Sequence, residues 1–464
     1  MKIPSIFTYA FVLPICCFLA GCSGLLPRSQ YTRPEVTLPR QWQATDVTGS
    51  AVATKIQWWR DYNDQTLSEL IELALRSNNN LAAATIKVKR AQLSARLTNT
   101  NLTPTVSADL SSSLSRDLTT RRETKSSGVT LSASYELDLW GKLASARDAS
   151  KWEAEATEYD RQSTALALVG TVATNYWTIA YLNERIASVD ASILNTERVL
   201  GLVEVKYQAG AVSALDKLQA QQTVASQKAQ LTELWQQRTE ARNALAILFN
   251  QAPEHTVPER QRLPEGALPQ VQAGLPASLL GQRPDLQAAE QRLKKYLANV
   301  DTTRASYYPS FTLTGTLGTS STSLVEVIKN PYAALGAGLA LPFIQWNTMR
   351  LHVETAQADY EEAVVNFRQT LYAALGDVEN ALAARKNYAE EIKQLQDSLD
   401  LAKKAEQLAE VRYLTGSTDL QTWLATQESR RDAERAFAVV RLAQLKNSMA
   451  VYQVIGGTTS LPVP

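Results

Sequence analysis

The sequence has few of the residues that build metal centres, disulfides or catalytic dyads. It contains three cysteines and two histidines in 464 residues, and the cysteines, Cys16, Cys17 and Cys22, all lie near the N-terminus. His255 and His352 are far apart, with no His-Glu-x-x-His or paired-cysteine spacing around them. A Gly-x-Ser-x-Gly nucleophile turn and a phosphate-binding glycine loop are absent too. We therefore predict no catalytic residue, no metal and no dissociable cofactor.

The chain also lacks an excess of charge of either sign. It has 47 lysines and arginines against 46 aspartates and glutamates, a formal net charge of +1. Nucleic-acid binding would call for a basic stripe, and none runs along the chain. Neutral polar residues are abundant in both halves, which suits a water-lined surface without a strong field. No nucleic-acid partner is expected.

The N-terminus resembles a bacterial lipoprotein signal. An apolar run over 3–19 leads into Leu19-Ala20-Gly21-Cys22. We predict removal of residues 1–21 and acylation of Cys22 with diacylglyceryl and N-acyl chains. Ser23, rather than an aspartate, follows the cysteine, and by resemblance to enterobacterial sorting this favours the outer membrane. An ordinary signal peptide or a short anchoring helix is the alternative, although the apolar run is short for a spanning helix.

The most informative stretch is an alternating strand that runs into a very long helix. From Val129 to Leu139 every second residue is apolar, and a proline-free helical pattern then runs from Lys142 to Tyr207. Such a helix would be about 90 Å long at 1.5 Å per residue. The second half repeats this device about 206 residues later, with a strand over Tyr332 to Phe343 and a helix from Met349 to Tyr413.

The repeat divides the chain into segments. We expect a lipidated tether over 22–65, a first repeat over 66–250, a proline-rich crossing segment over 251–276, a second repeat over 277–456 and a tail over 457–464. Each repeat is predicted to hold a helix, a β-hairpin and a long helical hairpin. In the first repeat the leading helix should run from Thr66 to Thr98, and in the second the last helix should run from Leu420 to about Val454.

The four predicted strands alternate between apolar and polar residues. In a soluble sandwich the apolar faces would meet a second sheet, and in a membrane barrel they would meet lipid. Four strands cannot close a barrel, and an open edge in lipid leaves backbone groups unpaired. Several chains must then associate, with eight strands from two chains or twelve from three. Because eight strands leave an interior filled by side chains, a conducting barrel favours twelve. The predicted fold is thus mostly α with membrane β.

Several motifs resemble those of the TolC-type outer-membrane factors, in particular the lipoprotein branch that serves resistance-nodulation-division multidrug pumps. They are Trp58-Trp59-Arg60, Tyr135-Glu136-Leu137-Asp138-Leu139-Trp140-Gly141-Lys142, Arg283-Pro284-Asp285-Leu286-Gln287-Ala288-Ala289-Glu290 and Tyr308-Pro309-Ser310. The resemblance implies a homotrimer with a 12-stranded outer-membrane barrel, continuous with a periplasmic α-helical barrel. It also implies a passive duct that docks on a periplasmic adaptor protein and an inner-membrane pump and exports drugs or other small molecules.

The same resemblance assigns roles to the two helical tips. The positions that match the family's periplasmic gate are Lys206, Tyr207, Arg412 and Tyr413, with Asp216 and Asp419 as nearby acids. The positions that match the adaptor-docking tips are Gly210, Ala211, Val212, Ser213, Gly416, Ser417 and Thr418. The two glycines also suit helix C-caps, and the acids also suit capping or solvated positions.

Two stretches depart from the family's pattern. Leu424-Ala425-Thr426-Gln427 lacks an aspartate that relatives often carry there, which leaves Asp419 as a candidate substitute. Phe343-Ile344-Gln345-Trp346-Asn347 stands where many relatives turn with a glycine pair, and this affects the exit of the fourth strand.

Two other functions compete with drug efflux. An exit duct for type I protein secretion would use the same fold. A periplasmic coiled-coil scaffold would explain the helices but leave the four lipid-length strands without a role. The exported substrate cannot be read from the walls of a wide channel, because selection lies mainly with the pump.

Overall fold

The computed structural model describes residues 28–43, 57–253, 256–270, 276–323 and 330–457. The chain forms two compact units. Unit 1 comprises 1–36, 87–158 and 288–369, and unit 2 comprises 37–86, 159–287 and 370–464. The predicted signal, the acylation site Cys22 and all but the first residue of the predicted tail lie outside the described residues.

The described elements follow one order twice: helix, two strands, long helix, return helix. The α-helices are α1 (Gln65–Ser77), α2 (Asn79–Thr100), α3 (Lys142–Gln208), α4 (Ala214–Leu248), α5 (Leu279–Gln282), α6 (Pro284–Ala305), α7 (Trp346–Leu414) and α8 (Leu420–Val454). The strands are β1 (Thr105–Arg116), β2 (Glu123–Leu137), β3 (Ser310–Ser321) and β4 (Pro331–Ala340). Short 3-10 helices occupy Trp58–Tyr62, Pro276–Ser278 and Pro342–Ile344.

The two longest helices, α3 and α7, have 67 and 69 residues. No proline interrupts either of them, so the backbone hydrogen bonds continue without a break. One window of α3 is apolar enough to cross a membrane by length and composition, yet 67% of it is buried inside the fold. Its apolar side chains, including Val172 and Ile179, belong to the core of unit 2.

Unit 1 contains one antiparallel sheet in the order β1-β2-β3-β4. Residues opposite one another in this sheet share a face, so Leu110 lies beside Val129, and Leu131 beside Leu317. This face is apolar from β1 to β4, whereas the other face carries mainly serine, threonine and glycine. The helices leave from the end at Thr105, Leu137, Ser310 and Ala340, and the hairpin turns lie at the opposite end.

The junction between β2 and α3 explains two of the motifs found in the sequence. Asp138 accepts hydrogen bonds from the backbone N–H groups of Leu143 and Ala144 at 2.9 and 2.8 Å, which caps α3. Trp140 Nε1 donates to the Pro309 carbonyl at 2.6 Å, and the Trp140 ring packs 5.1 Å from that of Tyr308. The two motifs therefore fasten the start of α3 to the start of β3.

The core of unit 2 is built around aromatic side chains. Trp58 and Trp59 are buried, and Trp58 stacks on Tyr452 of α8 with ring centroids 4.5 Å apart. Gly457 lies beneath Trp58, where a Cβ atom would come within 2.6 Å of the Trp58 Nε1 atom. The backbone that follows α8 can pack against Trp58 only because residue 457 has no side chain.

Three predicted boundaries were wrong, and one of them is the start of α7, which lies at Trp346 rather than Met349. The helix predicted over Thr66 to Thr98 is two helices, because Asn78 is extended, accepts a hydrogen bond from Leu81 N–H and donates one to the Leu248 carbonyl. The fourth strand ends at Ala340 rather than Phe343, because Pro342 has no N–H for the sheet and begins a 3-10 turn.

Candidate functional site

The first helical tip ends α3 in a tight hydrogen-bonded turn. Gly210 has a φ of +72°, a backbone conformation that favours glycine. Ala211 N–H donates to the Lys206 carbonyl at 2.8 Å, and Gly210 N–H donates to the Tyr207 carbonyl at 3.0 Å. These two bonds make a Schellman motif, which satisfies carbonyls left free at the end of a helix.

The second tip ends α7 in the same way. Gly416 has a φ of +73°, Ser417 N–H donates to the Arg412 carbonyl at 2.7 Å, and Gly416 N–H donates to the Tyr413 carbonyl at 3.1 Å. The equal geometry explains why both tips have a glycine three residues after the tyrosine. Both glycines are C-caps in this fold.

The two acids of the predicted gate lie at the starts of the return helices. Asp216 accepts hydrogen bonds from Ser213 N–H and Oγ at 2.8 and 2.7 Å, and Ser213 Oγ accepts from Asp216 N–H, which forms a capping box. Asp419 is the N-cap of α8 and accepts from Thr422 N–H at 2.7 Å. The hydrogen bonds from Thr422 hold the pKa of Asp419 below its usual value. Both carboxylates thus stabilise helix N-termini.

One tyrosine of the predicted gate is buried. Tyr413 is 5% exposed and stacks on Trp423 of α8, with ring centroids 5.0 Å apart. Lys206 from the first tip places its Nζ 4.2 Å from the centroid of the Tyr413 ring, a cation–π contact. Val203 and Leu420 complete the same cluster. The structure therefore brings together two of the predicted gate residues from different tips.

The other tyrosine faces solvent. Tyr207 is 41% exposed, and Lys217 of α4 lies over its ring at 5.6 Å while also approaching Glu204 at 3.8 Å. The Arg412 side chain is exposed. Lys217 and Trp423 were not among the predicted site residues. Trp423 follows the N-cap Asp419 by one helical turn, and this spacing was a signal that its side chain lies near the tip.

The residues predicted to dock an adaptor lie on the surface of the tips. Five of them are exposed, namely Gly210, Ala211, Ser213, Gly416 and Ser417. Val212 and Thr418 are half-buried, and Val212 packs against the Tyr413 cluster. Both tips therefore present small exposed residues over an apolar base.

Above the tips the four-helix packing encloses unpaired polar atoms. Gln427 of α8 is 0% exposed, and in the described part of the chain neither its Nε2 nor its Oε1 has a hydrogen-bond partner. Gln227 of α4 is also buried, and its Oε1 accepts a 3.5 Å hydrogen bond from Thr196 Oγ1. An unpaired buried polar group costs about 1–3 kcal/mol. This layer is therefore less stable than an apolar layer of the same shape.

The apolar face of the sheet is exposed to a degree unusual for a folded protein. Leu110 and Leu335, from the two edge strands, are 73% and 95% exposed. Leu313 and Leu317 of β3 are exposed on the same face. A contiguous apolar surface of this kind marks a membrane or protein contact.

Residues 28–33 of unit 1 are fixed by polar contacts although they have no regular secondary structure. Arg28 forms an ion pair with Asp148 at 2.9 Å, and Ser29 donates from its N–H and Oγ to Asp301 at 2.9 and 2.7 Å. Further along, Arg33 binds Glu290 at 2.7 Å. Residues 28–33 of the predicted tether are therefore anchored to α3 and α6.

Comparison with known proteins matches both halves of the chain to one family. Residues 70–251 and 275–457 match the family model described as outer membrane efflux protein. The chain is 32% identical over 457 residues to the pyoverdine export outer membrane protein OpmQ of Pseudomonas putida, covering 96% of each chain. It is 30% identical over 412 residues to the toxin and drug export protein A of Aggregatibacter actinomycetemcomitans, covering 88% of this chain and 90% of that protein.

Solved structures of outer membrane channels match the fold of this chain. The Campylobacter jejuni CmeC outer membrane channel matches with a TM-score of 0.85 at 25% identity, over 93% of this chain and 94% of that one. The open state of the Neisseria gonorrhoeae MtrE outer membrane channel matches with a TM-score of 0.83 at 28% identity, over 93% and 98%. These matches confirm the resemblance to the TolC-type factors, and the chain therefore belongs to the outer membrane efflux protein family.

Proposed function

We propose that three copies of this chain close one twelve-stranded barrel and form an exit duct for small molecules across the outer membrane. The observation that carries this proposal is the open four-stranded sheet with an exposed apolar face. Three such sheets supply twelve strands, within the range of outer-membrane barrels. The serine- and threonine-rich face would then line the lumen.

Energetics favour this assembly over a single chain in lipid. The edge strands β1 and β4 have 12 and 10 residues. An edge strand turns about half of its backbone groups outward, and each group left unpaired in lipid costs several kcal/mol. Pairing β1 of one copy with β4 of the next removes both edges. Twelve strands leave an open lumen, whereas eight would be filled by side chains.

The N-terminal contacts support a lipid anchor at Cys22. Arg28 and Ser29 are tied close to the helix end of the sheet, at Asp148 and Asp301. The six residues from Cys22 to Arg28 can reach about 20 Å. An acyl chain on Cys22 can therefore enter the membrane beside the barrel of its own chain.

The tips carry the proposed gate and the proposed adaptor contact. Lys206 and Tyr413 join the two helical hairpins, so packing between the hairpins holds the closed state, with Tyr207 and Arg412 toward the aperture. Asp216 and Asp419 contribute mainly by fixing the return helices. The exposed residues of both tips would dock a periplasmic adaptor, and a resistance-nodulation-division pump in the inner membrane would supply the energy.

The cargo is proposed to be small organic molecules. The relatives named for pyoverdine export and for toluene efflux support this class. Export of a protein, as in type I secretion, is the second candidate, and the name of the relative that exports toxin and drugs fits either cargo. Growth inhibition by unrelated drugs, solvents and dyes should rise in a strain without this gene and return to normal with a plasmid copy. Unchanged inhibition together with a lost secreted protein would favour the second candidate.

Cysteine pairs can test the assembly, because the predicted mature chain has no free thiol: its one cysteine, Cys22, carries the lipid on its sulfur as a thioether. A cysteine placed in β1, for example Ser111→Cys, combined with a scan of single cysteines along β4, should yield cross-linked trimers for some pairs. Ser132→Cys with Thr316→Cys is the control, because these residues lie opposite one another within one chain. Cross-linking that stops at dimers, or monomers for every β1–β4 pair, would refute the twelve-stranded barrel.

A further inference from the structure

The turn between β1 and β2 carries a concentration of positive charge. Residues 116–125 include four basic side chains and two acidic ones in a protein with 47 basic and 46 acidic residues overall. The basic residues are Arg116, Arg121, Arg122 and Lys125, and all four are exposed. The function proposed above does not use this charge.

The register of the sheet gives these cations a defined place. Leu110, Ser112, Leu114 and Arg116 follow one another on the same face of β1, because side chains alternate along a strand. Lys125 of β2 lies opposite Leu114, on the same face. The apolar face therefore ends in a group of cations at the end of the sheet away from the helices. We call this group the basic rim; it consists of Arg116, Lys125 and the turn residues Arg121 and Arg122.

The turn holds its own backbone in place. Asp117 N–H donates to the Arg122 carbonyl at 3.0 Å, and the Asp117 carboxylate accepts from Thr119 and Thr120 N–H at 2.8 and 2.9 Å. Arg121 adopts a left-handed φ of +56°. Arg116 approaches Glu123 at 3.7 Å, an exposed pair of little strength. The guanidinium groups of Arg121 and Arg122 project from an ordered turn.

We propose that this basic rim binds the phosphate groups of lipopolysaccharide in the outer leaflet. This inference rests on the proposed barrel, which directs the apolar face to lipid and the turn to the cell exterior. Cations at the boundary of an apolar band lie at headgroup depth, and arginine binds phosphate in a bidentate manner. Each cation near an anionic membrane surface strengthens binding by about fivefold.

The test uses the full-length protein purified in neutral detergent, with bisphosphorylated lipid A as the probe. Native mass spectrometry measures lipid A bound per protein, alongside lipid A from which both phosphates have been removed. The loop variant combines Arg121→Asn with Arg122→Gln, since asparagine tolerates a positive φ. Arg116→Gln with Lys125→Gln is a second variant that leaves the turn unchanged. The control, Lys403→Gln with Lys404→Gln, removes two exposed cations from α7.

The wild-type protein is expected to bind bisphosphorylated lipid A. Binding should fall more than tenfold in both double variants of the rim and stay unchanged in the control. Equal binding of dephosphorylated lipid A, or equal loss in the control, would overturn the proposal. Displacement by inorganic phosphate at matched concentration would also overturn it, because the site would then serve free anions. Conductance in planar bilayers, measured in a Tyr413→Ala background that loosens the proposed closed tip, separates the two proposals. Open channels together with lipid A binding that does not depend on the phosphates refute only the basic rim, whereas no channels in that background refute the duct.

Discussion

Placing a charge on the apolar face of β1 should prevent membrane insertion, whereas the same charge one residue later should not. Leu110 lies near the middle of β1 and is 73% exposed on the apolar face. Ser111 lies on the polar face, opposite Gly128. The pair Leu110→Arg and Ser111→Arg therefore differs in the face that carries the charge, at nearly the same depth.

The size of the effect follows from depth. An arginine that faces lipid near the bilayer midplane costs about 2–4 kcal/mol in a β-barrel. This amounts to a factor of about 30 to 1,000 in the ratio of inserted to uninserted protein for each chain. Three chains in one barrel would multiply the penalty. On the lumen side the guanidinium keeps its water, so Ser111→Arg should insert nearly as the wild type does.

Refolding into phosphatidylcholine vesicles measures this ratio, with the heat-sensitive mobility of the folded trimer on gels as the readout. A urea titration of each variant gives the difference in free energy. Equal insertion of the two variants would refute the assignment of the faces, and poorer insertion of Ser111→Arg would reverse it. Leu110→Ala controls for the loss of the leucine side chain alone.

Three further predictions concern the tips and the layer above them. Gln427→Leu should raise the free energy of unfolding by about 1–3 kcal/mol, since it removes two unpaired buried polar atoms. Thermal unfolding measures this change. The control is Gln222→Leu, at an exposed position of α4, which should have little effect. Tyr413→Phe should keep the channel closed, because the stack on Trp423 and the contact with Lys206 need only the aromatic ring. Tyr413→Ala removes the ring and should raise the resting conductance in a planar bilayer. Equal conductance of the two variants would contradict the role of the ring. The pKa of Asp419 is lower in the folded protein than its ordinary value of 3.8, so the ionised cap stabilises α8 at any pH above 3.8. This contribution is lost as the pH falls through the lower pKa of the folded state. Asp419→Asn should therefore remove part of the acid sensitivity of unfolding, and identical pH profiles would exclude this cap as a cause.

The long helices and the strand faces could be predicted because local rules determine them. A proline-free pattern predicted α3 to within one residue at its C-terminal end, and the tip glycines adopt the positive φ that a Schellman turn needs. The break at Asn78 was missed because the apolar pattern continues through it. Three consecutive asparagines, 78–80, were the available signal, since asparagine favours helix N-caps.

Contacts between distant segments could not be predicted in this way. Tyr207 and Tyr413 occupy equal places in the repeat, yet only Tyr413 is buried. That difference depends on the contacts of Tyr413 with Trp423 and Lys206, which form only when the two helical hairpins pack together. The binding of Ser29 and Arg33 to α6 joins residues more than 250 positions apart, and no sequence period reports such a pair.

The inequality of the two tyrosines has a consequence for how the tips can change over time. A substitution at Tyr207 alters the chemistry offered to a partner and leaves the packing between hairpins intact. A substitution at Tyr413 alters that packing and leaves most of the outer surface as it was. If the tips dock and close as proposed, one copy of the duplicated turn can follow a changing partner while the other preserves the closed arrangement, so recognition and closure can evolve separately in the two repeats.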